Sequence, residues 1–109
     1  MAFYVIAHTD VVDFVTYRTY AQRAEEILLA YGGRVLVKGT VGQYAQGKGP
    51  KFHTILVFPD QAAADACYMC DEYQEILPLS MRSATRDVVM VEGEDLPELF
   101  GSDGTERSR

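Results

Sequence analysis

The chain has 109 residues, of which 48% are hydrophobic and 24% are charged, and this composition indicates one globular domain rather than a disordered chain. Its formal net charge is −6 and its ten basic residues are scattered, which argues against nucleic-acid binding through phosphate contacts. No apolar run approaches the roughly 20 residues that cross a bilayer, no signal-peptide pattern opens the chain, and two cysteines make no secreted disulfide framework, so we expect a cytoplasmic protein without membrane contacts.

The first third of the sequence predicts a strand followed by a long helix. Residues 3–11 are rich in β-branched and aromatic side chains, which favours a strand. Asp13 follows, where its side chain can accept hydrogen bonds from the first free N–H groups of a helix. Gly32 ends this helix, because glycine adopts the left-handed conformation of a C-cap without a Cβ clash. Between them, apolar side chains recur every three or four residues and form one core-facing stripe: Phe14, Tyr17, Ala21, Ala24, Leu28 and Tyr31.

The rest of the chain predicts two strands, a second helical region and a last strand. Residues 34–44 and 52–58 are the predicted strands, joined by a glycine-rich loop over residues 42–50. Pro59 and Asp60 start a helix whose inner face carries small side chains: Ala63, Ala66, Cys67 and Cys70. Pro78 interrupts the helical pattern, so residues 71–83 are predicted to form a short separate turn of helix and a connection. The last strand covers residues 85–92.

We expect one domain over residues 1–93 and a C-terminal tail over residues 94–109. After Glu92 the sequence becomes rich in glycine, serine and charged residues, a composition that buries too little apolar surface to fold. We therefore expect disorder over residues 101–109.

The order of these elements, βαββαβ, predicts an α+β fold, a ferredoxin-like sandwich with both helices on one face of the sheet. Right-handed crossovers give the strand order 4-1-3-2 with antiparallel neighbours. The other face is apolar as well, since Tyr4, Ile6 and His8 alternate with Phe3, Val5 and Ala7 along strand one. A sheet that is apolar on both faces must be covered on both, and this chain has no third layer. We therefore expect a homodimer in which a second copy covers this face.

Six short segments occur in an order that is similar to that of a known family. They are Asp13 to Tyr20, Tyr31 to Arg34, Phe58 to Asp60, Glu72 to Gln74, Arg82, and Val91 to Gly93. Together they resemble the uncharacterised domain-of-unknown-function family 1330, within the dimeric α/β barrel superfamily, over roughly residues 3–93. The resemblance implies a ferredoxin-like fold whose two sheets join into a barrel across a dimer. It implies no single activity, since relatives in the superfamily include cofactor-free monooxygenases, lactone isomerases and haem-handling proteins.

The predicted topology brings polar and aromatic side chains to one end of the sheet. The first strand ends where the antiparallel third strand begins, so His8 and His53 should lie near each other. The first helix begins at this end, the second helical region ends there, and the loop over residues 42–50 folds over it. We therefore expect one cleft, with His8, His53 and Arg82 as catalytic candidates and Tyr17, Tyr20, Tyr44 and Tyr73 as ligand-binding candidates.

Binding of a small organic molecule, anionic or aromatic, is the function that such a cleft favours. Histidine serves as acid or base and arginine binds carboxylates or enolates, so catalysis without a metal or cofactor is the bolder hypothesis. Other interpretations stay open. The polar strand ends can simply meet water, or the protein can be a non-catalytic dimeric structural or interaction module whose interface uses Tyr17, Tyr20 and Tyr73. Haem binding through His8 or His53 is a third alternative.

Two further motifs predict no chemistry. Cys67 and Cys70 form a CxxC well inside a predicted helix and on its apolar side, which favours core packing over a redox or zinc site. Residues 42–49 approach a P-loop pattern, but the last position is glycine instead of Ser or Thr and a strand follows where a helix should. We therefore predict no metal site and no nucleotide site.

Overall fold

A computed structural model describes residues 1–100, which form four strands and four helices. In chain order the elements are β1 (Ala2–Val11), α1 (Phe14–Ala30), β2 (Arg34–Val41), β3 (Phe52–Phe58), α2 (Gln61–Met69), α3 (Asp71–Ser83), β4 (Ala84–Gly93) and α4 (Pro97–Phe100). Every helix within these residues is too short or too polar to span a bilayer. The elements agree with the expected order, apart from the continuous α3 and the added α4.

The four strands form one antiparallel sheet in the order β2-β3-β1-β4. This is the predicted order 4-1-3-2 read from the opposite edge, so the prediction of a ferredoxin-like α+β fold is confirmed. β1 lies inside the sheet, where Val5 is opposite Leu56 of β3 and Met90 of β4. Residues that are directly opposite each other on neighbouring strands point to the same face. The register therefore assigns each strand residue to one of two faces.

The first face lies under the helices and carries the core. Its central cluster joins three strand residues to three helix residues: Phe3, Val5 and Phe58 with Leu28, Ala64 and Cys67. Burial of each large apolar side chain contributes roughly 1.5–3 kcal/mol to folding. Leu56, Val88 and Met90 share this face by register. We call it the helix-covered face.

The second face is the one opposite to the helix-covered face, and we call it the open face. Alternation along the strands assigns it Tyr4, Ile6, His8, His53, Ile55, Val89 and Val91. Val89 and Val91 are 51% and 46% exposed. A single subunit therefore leaves part of an apolar sheet surface in contact with water.

The second helical region differs from the prediction in two ways. α3 is separate from α2 as predicted, but it is continuous from Asp71 to Ser83 with Pro78 inside it, so the predicted short turn followed by a connection was wrong. Proline removes one helical hydrogen bond. That cost is offset because Ile76, on the same helix, is fully buried. In α2 the buried small residues are Ala64 and Cys67, whereas Ala66 is exposed.

The start of the C-terminal tail contacts the sheet. Tyr4 donates a hydrogen bond of 2.7 Å from its phenol to the backbone oxygen of Glu94, and α4 follows. The predicted division into residues 1–93 and a tail stays a prediction. The disorder expected for residues 101–109 lies outside the described residues.

Candidate functional site

A cavity of about 350 Å³ lies between the helices and the helix-covered face. This volume is at the lower end of the range of about 300–1,000 Å³ that is typical of small-molecule pockets. Most of the lining is aliphatic or aromatic, contributed by sheet and helices alike: Val5, Leu28, Leu56, Phe58, Leu77 and Met90. The polar groups of the described lining come from Tyr20, Tyr73, Tyr68, Cys67 and Arg86. The cavity is therefore an apolar space with a few polar groups in its wall.

Arg86, Tyr20 and Tyr73 form a connected hydrogen-bonding group in this wall. Nη1 of Arg86 donates to the phenolic oxygen of Tyr20 at 3.0 Å, and the guanidinium lies 5.3 Å from the centre of the Tyr20 ring. The phenolic oxygens of Tyr20 and Tyr73 are 2.7 Å apart, a hydrogen bond. The three side chains come from β4, α1 and α3, so the group forms only when all three elements are in place.

Burial determines the ionisation of this group. Tyr20 is 4% exposed, and burial is the main reason that its pKa is raised well above the ordinary value, so it stays a neutral phenol. Burial opposes the charge of Arg86, but the nearby phenols, Tyr20 first, outweigh it and raise the Arg86 pKa. Within residues 1–100, none of the ion pairs includes Arg86, and its Nε is buried without a hydrogen-bond acceptor. The cavity wall therefore holds a cation that no carboxylate of residues 1–100 neutralises.

His8 and His53 form a second group on the open face. They are directly opposite each other on β1 and β3, and their Nδ1 atoms are 2.9 Å apart. The Tyr44 ring centre lies 5.7 Å from that of His53, and Tyr44 donates to the backbone oxygen of Pro50. Asp87 of β4 is opposite His8 on its other side. This group is therefore a histidine pair beside a tyrosine and a carboxylate on the sheet surface.

The predicted single cleft is consequently two groups of residues on opposite faces of the sheet. Tyr17, Tyr20 and Tyr73 are on the helix side, where the Tyr17 and Tyr20 ring centres are 5.5 Å apart. The expectation that both histidines share a cleft with these tyrosines was wrong. Antiparallel pairing of β1 and β3 correctly indicates that the two histidines lie at the same level of the sheet. Strand parity also assigns both of them to the face opposite Val5 and Ala7, which point to the helices, and so away from the tyrosines.

Arg82 is outside both groups. It is exposed in the last turn of α3, close enough to Asp13 to contribute a little to the lowered pKa of that carboxylate. The hydrogen bonds from Thr16 are the larger cause of that lowering. The arginine in the cavity is Arg86, four residues further on, which the sequence analysis missed. A signal was present, because Arg86 has the same strand parity as the inward-facing Val88 and Met90.

Cys67 also faces the cavity, whereas Cys70 caps α3. Both are free thiols. Burial, with a smaller effect of Cys70, raises the pKa of Cys67 to about 11, so this thiol is protonated at neutral pH. The Sγ of Cys70 accepts a hydrogen bond of 3.4 Å from the backbone N–H of Tyr73. Across residues 1–100 no three His, Cys, Asp or Glu side chains converge on a point that could hold a metal ion.

Solved structures with a similar fold come from several bacteria. RPA0582 of Rhodopseudomonas palustris, a protein of unknown function, is 13% identical with a TM-score of 0.73, over 87% of this chain and 84% of that chain. SnoaB of Streptomyces nogalater, a cofactor-independent oxygenase, is 10% identical with a TM-score of 0.63, over 87% and 95%. A candidate antibiotic biosynthesis monooxygenase of Nitrosomonas europaea is 14% identical with a TM-score of 0.56, over 85% and 98%. Identities this low establish the fold alone.

The family assignment comes from the sequence. Comparison with curated proteins finds no match. The sequence profile of the family described as Domain of unknown function (DUF1330) matches residues 2–94, which is most of the chain and includes every strand of the sheet. The chain therefore belongs to the DUF1330 family, and it has a ferredoxin-like α+β fold.

Proposed function

We propose that this protein binds a small organic molecule, aromatic or anionic, in the cavity between the helices and the helix-covered face. The observation that carries the proposal is the single guanidinium of Arg86 in the wall of an otherwise largely apolar cavity. A cavity that served packing alone would be expected to hold no charge, because burying an uncompensated cation costs free energy. A ligand that occupies the cavity would recover that cost.

Chemistry without a cofactor is the bolder part of the proposal. The groups that could move a proton in the cavity are the phenols of Tyr20 and Tyr73. The polar candidates His8 and His53 lie on the open face, on the other side of the sheet from a ligand in the cavity. The similar fold of SnoaB, a cofactor-independent oxygenase, is compatible with such chemistry but transfers no residue roles at 10% identity.

The same proposal includes a homodimer formed through the open face. Its support is the exposure of Val89 and Val91 together with the apolar character of Tyr4 and Ile6 beside them. The rival function, a dimeric module without a ligand, would share this interface. The module would give the cavity no role, so a test of ligand binding in the cavity distinguishes the two functions.

Cavity filling tests the proposal directly. Ala24 of α1 lines the cavity, and Ala21 is an exposed residue one turn earlier on the same helix. Thermal-shift screening against small carboxylates, phenols and their neutral analogues should find ligands that stabilise the wild type, by about 2.7 kcal/mol at a hundredfold excess over Kd. Ala24→Leu should abolish that stabilisation and Ala21→Leu should retain it. Equal shifts in both variants would show that the ligand binds outside the cavity and would overturn the proposal, and no shift with any compound would favour the module without a ligand.

A further inference from the structure

We infer that the ligand of the cavity is a monoanion that presents a planar oxyanion, a carboxylate or an enolate, to Arg86 and to one phenol of the Tyr20–Tyr73 pair. Its apolar body lies against Val5 and Leu28. This inference rests on the proposed function, because it names the class of molecule that the same cavity takes. Three features of the cavity wall lead to it: an unmatched charge, an excess of hydrogen-bond donors, and a single cationic group.

The charge of Arg86 is unmatched within the described chain. The ion pairs of residues 1–100 join Met1 to Asp95, Arg23 to Glu75 and Lys38 to Glu25. Asp87 is the next residue in β4, but strand alternation directs it to the open face. A partly desolvated guanidinium whose protein contacts are neutral phenols binds an anion more strongly than an exposed one, because less water must be displaced when the ion pair forms.

The cavity wall has more hydrogen-bond donors than acceptors. Tyr20 and Tyr73 bring two phenolic protons, and the bond between their oxygens uses one of them. Whichever phenol donates, the other proton has no acceptor among residues 1–100. Arg86 donates to Tyr20 through Nη1, and its Nε has no acceptor in the same residues. A head group that only accepts hydrogen bonds, as a carboxylate or enolate does, matches this wall.

The number of cationic groups sets the charge of the ligand. Arg86 is the one charged side chain among the described residues that line the cavity, and the remaining surface is largely apolar. One guanidinium neutralises a single negative charge, whereas a phosphate dianion would retain excess charge next to Leu28 and Phe58. The wall therefore selects a singly charged organic acid with an apolar body.

The test compares two probes of the same shape with different head groups, trans-cinnamate and the neutral trans-cinnamamide. A third probe, 4-nitrophenolate at pH 8.5, represents an enolate-like head group and reports binding by its absorbance. Isothermal titration of the full chain should show that cinnamate binds at least about tenfold more tightly than cinnamamide. Tighter binding of 4-nitrophenolate than of cinnamate would identify an enolate as the head group of the ligand, and the reverse would identify a carboxylate.

Variants assign the preference to Arg86. Arg86→Met keeps an unbranched apolar side chain but removes the guanidinium, and should bring the ratio of the two affinities to about one, while Arg18→Met, on an exposed part of α1, should leave it unchanged. Circular dichroism verifies the fold of each variant, and Arg86→Lys, which keeps the charge, should retain a preference for the anion even if Arg86→Met does not fold. Equal binding of cinnamate and cinnamamide to the wild type would overturn this inference and leave the proposed function standing. Binding of no probe, charged or neutral, would overturn both.

Discussion

Arg86 and Tyr20 are 66 positions apart in the sequence and meet in the cavity wall, where the Arg86 Nη1 donates to the Tyr20 phenol at 3.0 Å. The contact joins β4 to α1 across the cavity, and Tyr73 of α3 extends it through a second hydrogen bond. Because Tyr20 is the only hydrogen-bond acceptor that Arg86 has among residues 1–100, the two side chains are energetically coupled. The free-energy cost of removing one of these side chains should therefore depend on whether the other is present.

Tyr20→Phe should therefore destabilise the fold more than Tyr73→Phe does. The first change leaves the Arg86 cation without its acceptor, at a cost of about 2 kcal/mol, and the second removes one hydrogen bond at the half-buried Tyr73, at a cost of about 1 kcal/mol or less. Urea unfolding measures both free energies. In an Arg86→Met background Tyr20→Phe should cost only its hydrogen bond to Tyr73, about 1 kcal/mol or less, and an undiminished cost there would show that Tyr20 and Arg86 are not coupled.

The level of each strand residue in the sheet, and the face it occupies, could be predicted from the sequence. The strand order followed from the crossovers, and the antiparallel pairing of β1 with β3 implied that His8 and His53 lie at the same level. Alternation along β4 also placed Arg86 in line with Val88 and Met90, and a charged residue at such a position indicates a polar group under the helices. Only the apolar residues of that strand were assigned to a face, and Arg82 was predicted in place of Arg86.

Other parts of the structure depend on tertiary packing. Pro78 interrupts a helix by its local chemistry, yet α3 continues through it because Ile76 and Ser80 are buried against neighbouring elements. The approach of Tyr20 to Tyr73 depends on how α1 and α3 pack, and no local pattern encodes a distance between two helices. The cavity itself arises from this packing, and its volume could not be predicted from residue types.

The thiol of Cys67 gives a prediction about alkaline pH. Burial raises its folded-state pKa to about 11 from a reference value of 9.0, so the unfolded chain releases this proton first as the pH rises. The stability that the buried neutral thiol contributes is present below pH 9 and is lost between pH 9 and about 11. Urea unfolding should show a steeper loss of stability from pH 8.5 to 10.5 in the wild type than in Cys67→Ala. Parallel pH profiles would contradict the assigned burial of this thiol.

Gly42 leaves room for the ring of His53 on the open face. A Cβ at this position would overlap the His53 ring, so Gly42→Ala should displace the imidazole and break its 2.9 Å contact with His8. We expect a loss of about 1–2 kcal/mol in the free energy of unfolding. In a His53→Ala background the same change should cost less than about 0.5 kcal/mol, since no ring remains to be displaced. An equal cost in both backgrounds would assign the effect to the backbone at Gly42.

The proposed dimer is tested by placing a charge on the open face. Val89 is 51% exposed in a single subunit, so Val89→Asp should leave the subunit folded, whereas it would bury a carboxylate in an interface formed by two such faces. Because a two-fold interface contains the substitution twice, a cost of roughly 2 kcal/mol for each copy raises the dimer Kd about a thousandfold. Sedimentation velocity at micromolar concentration should show a dimer for the wild type and a monomer for the variant. Val15→Asp, at a position of α1 that is 73% exposed and away from the sheet, should remain dimeric. A folded wild-type protein that sediments as a monomer would remove the dimer and leave the cavity, which each subunit forms alone, unaffected.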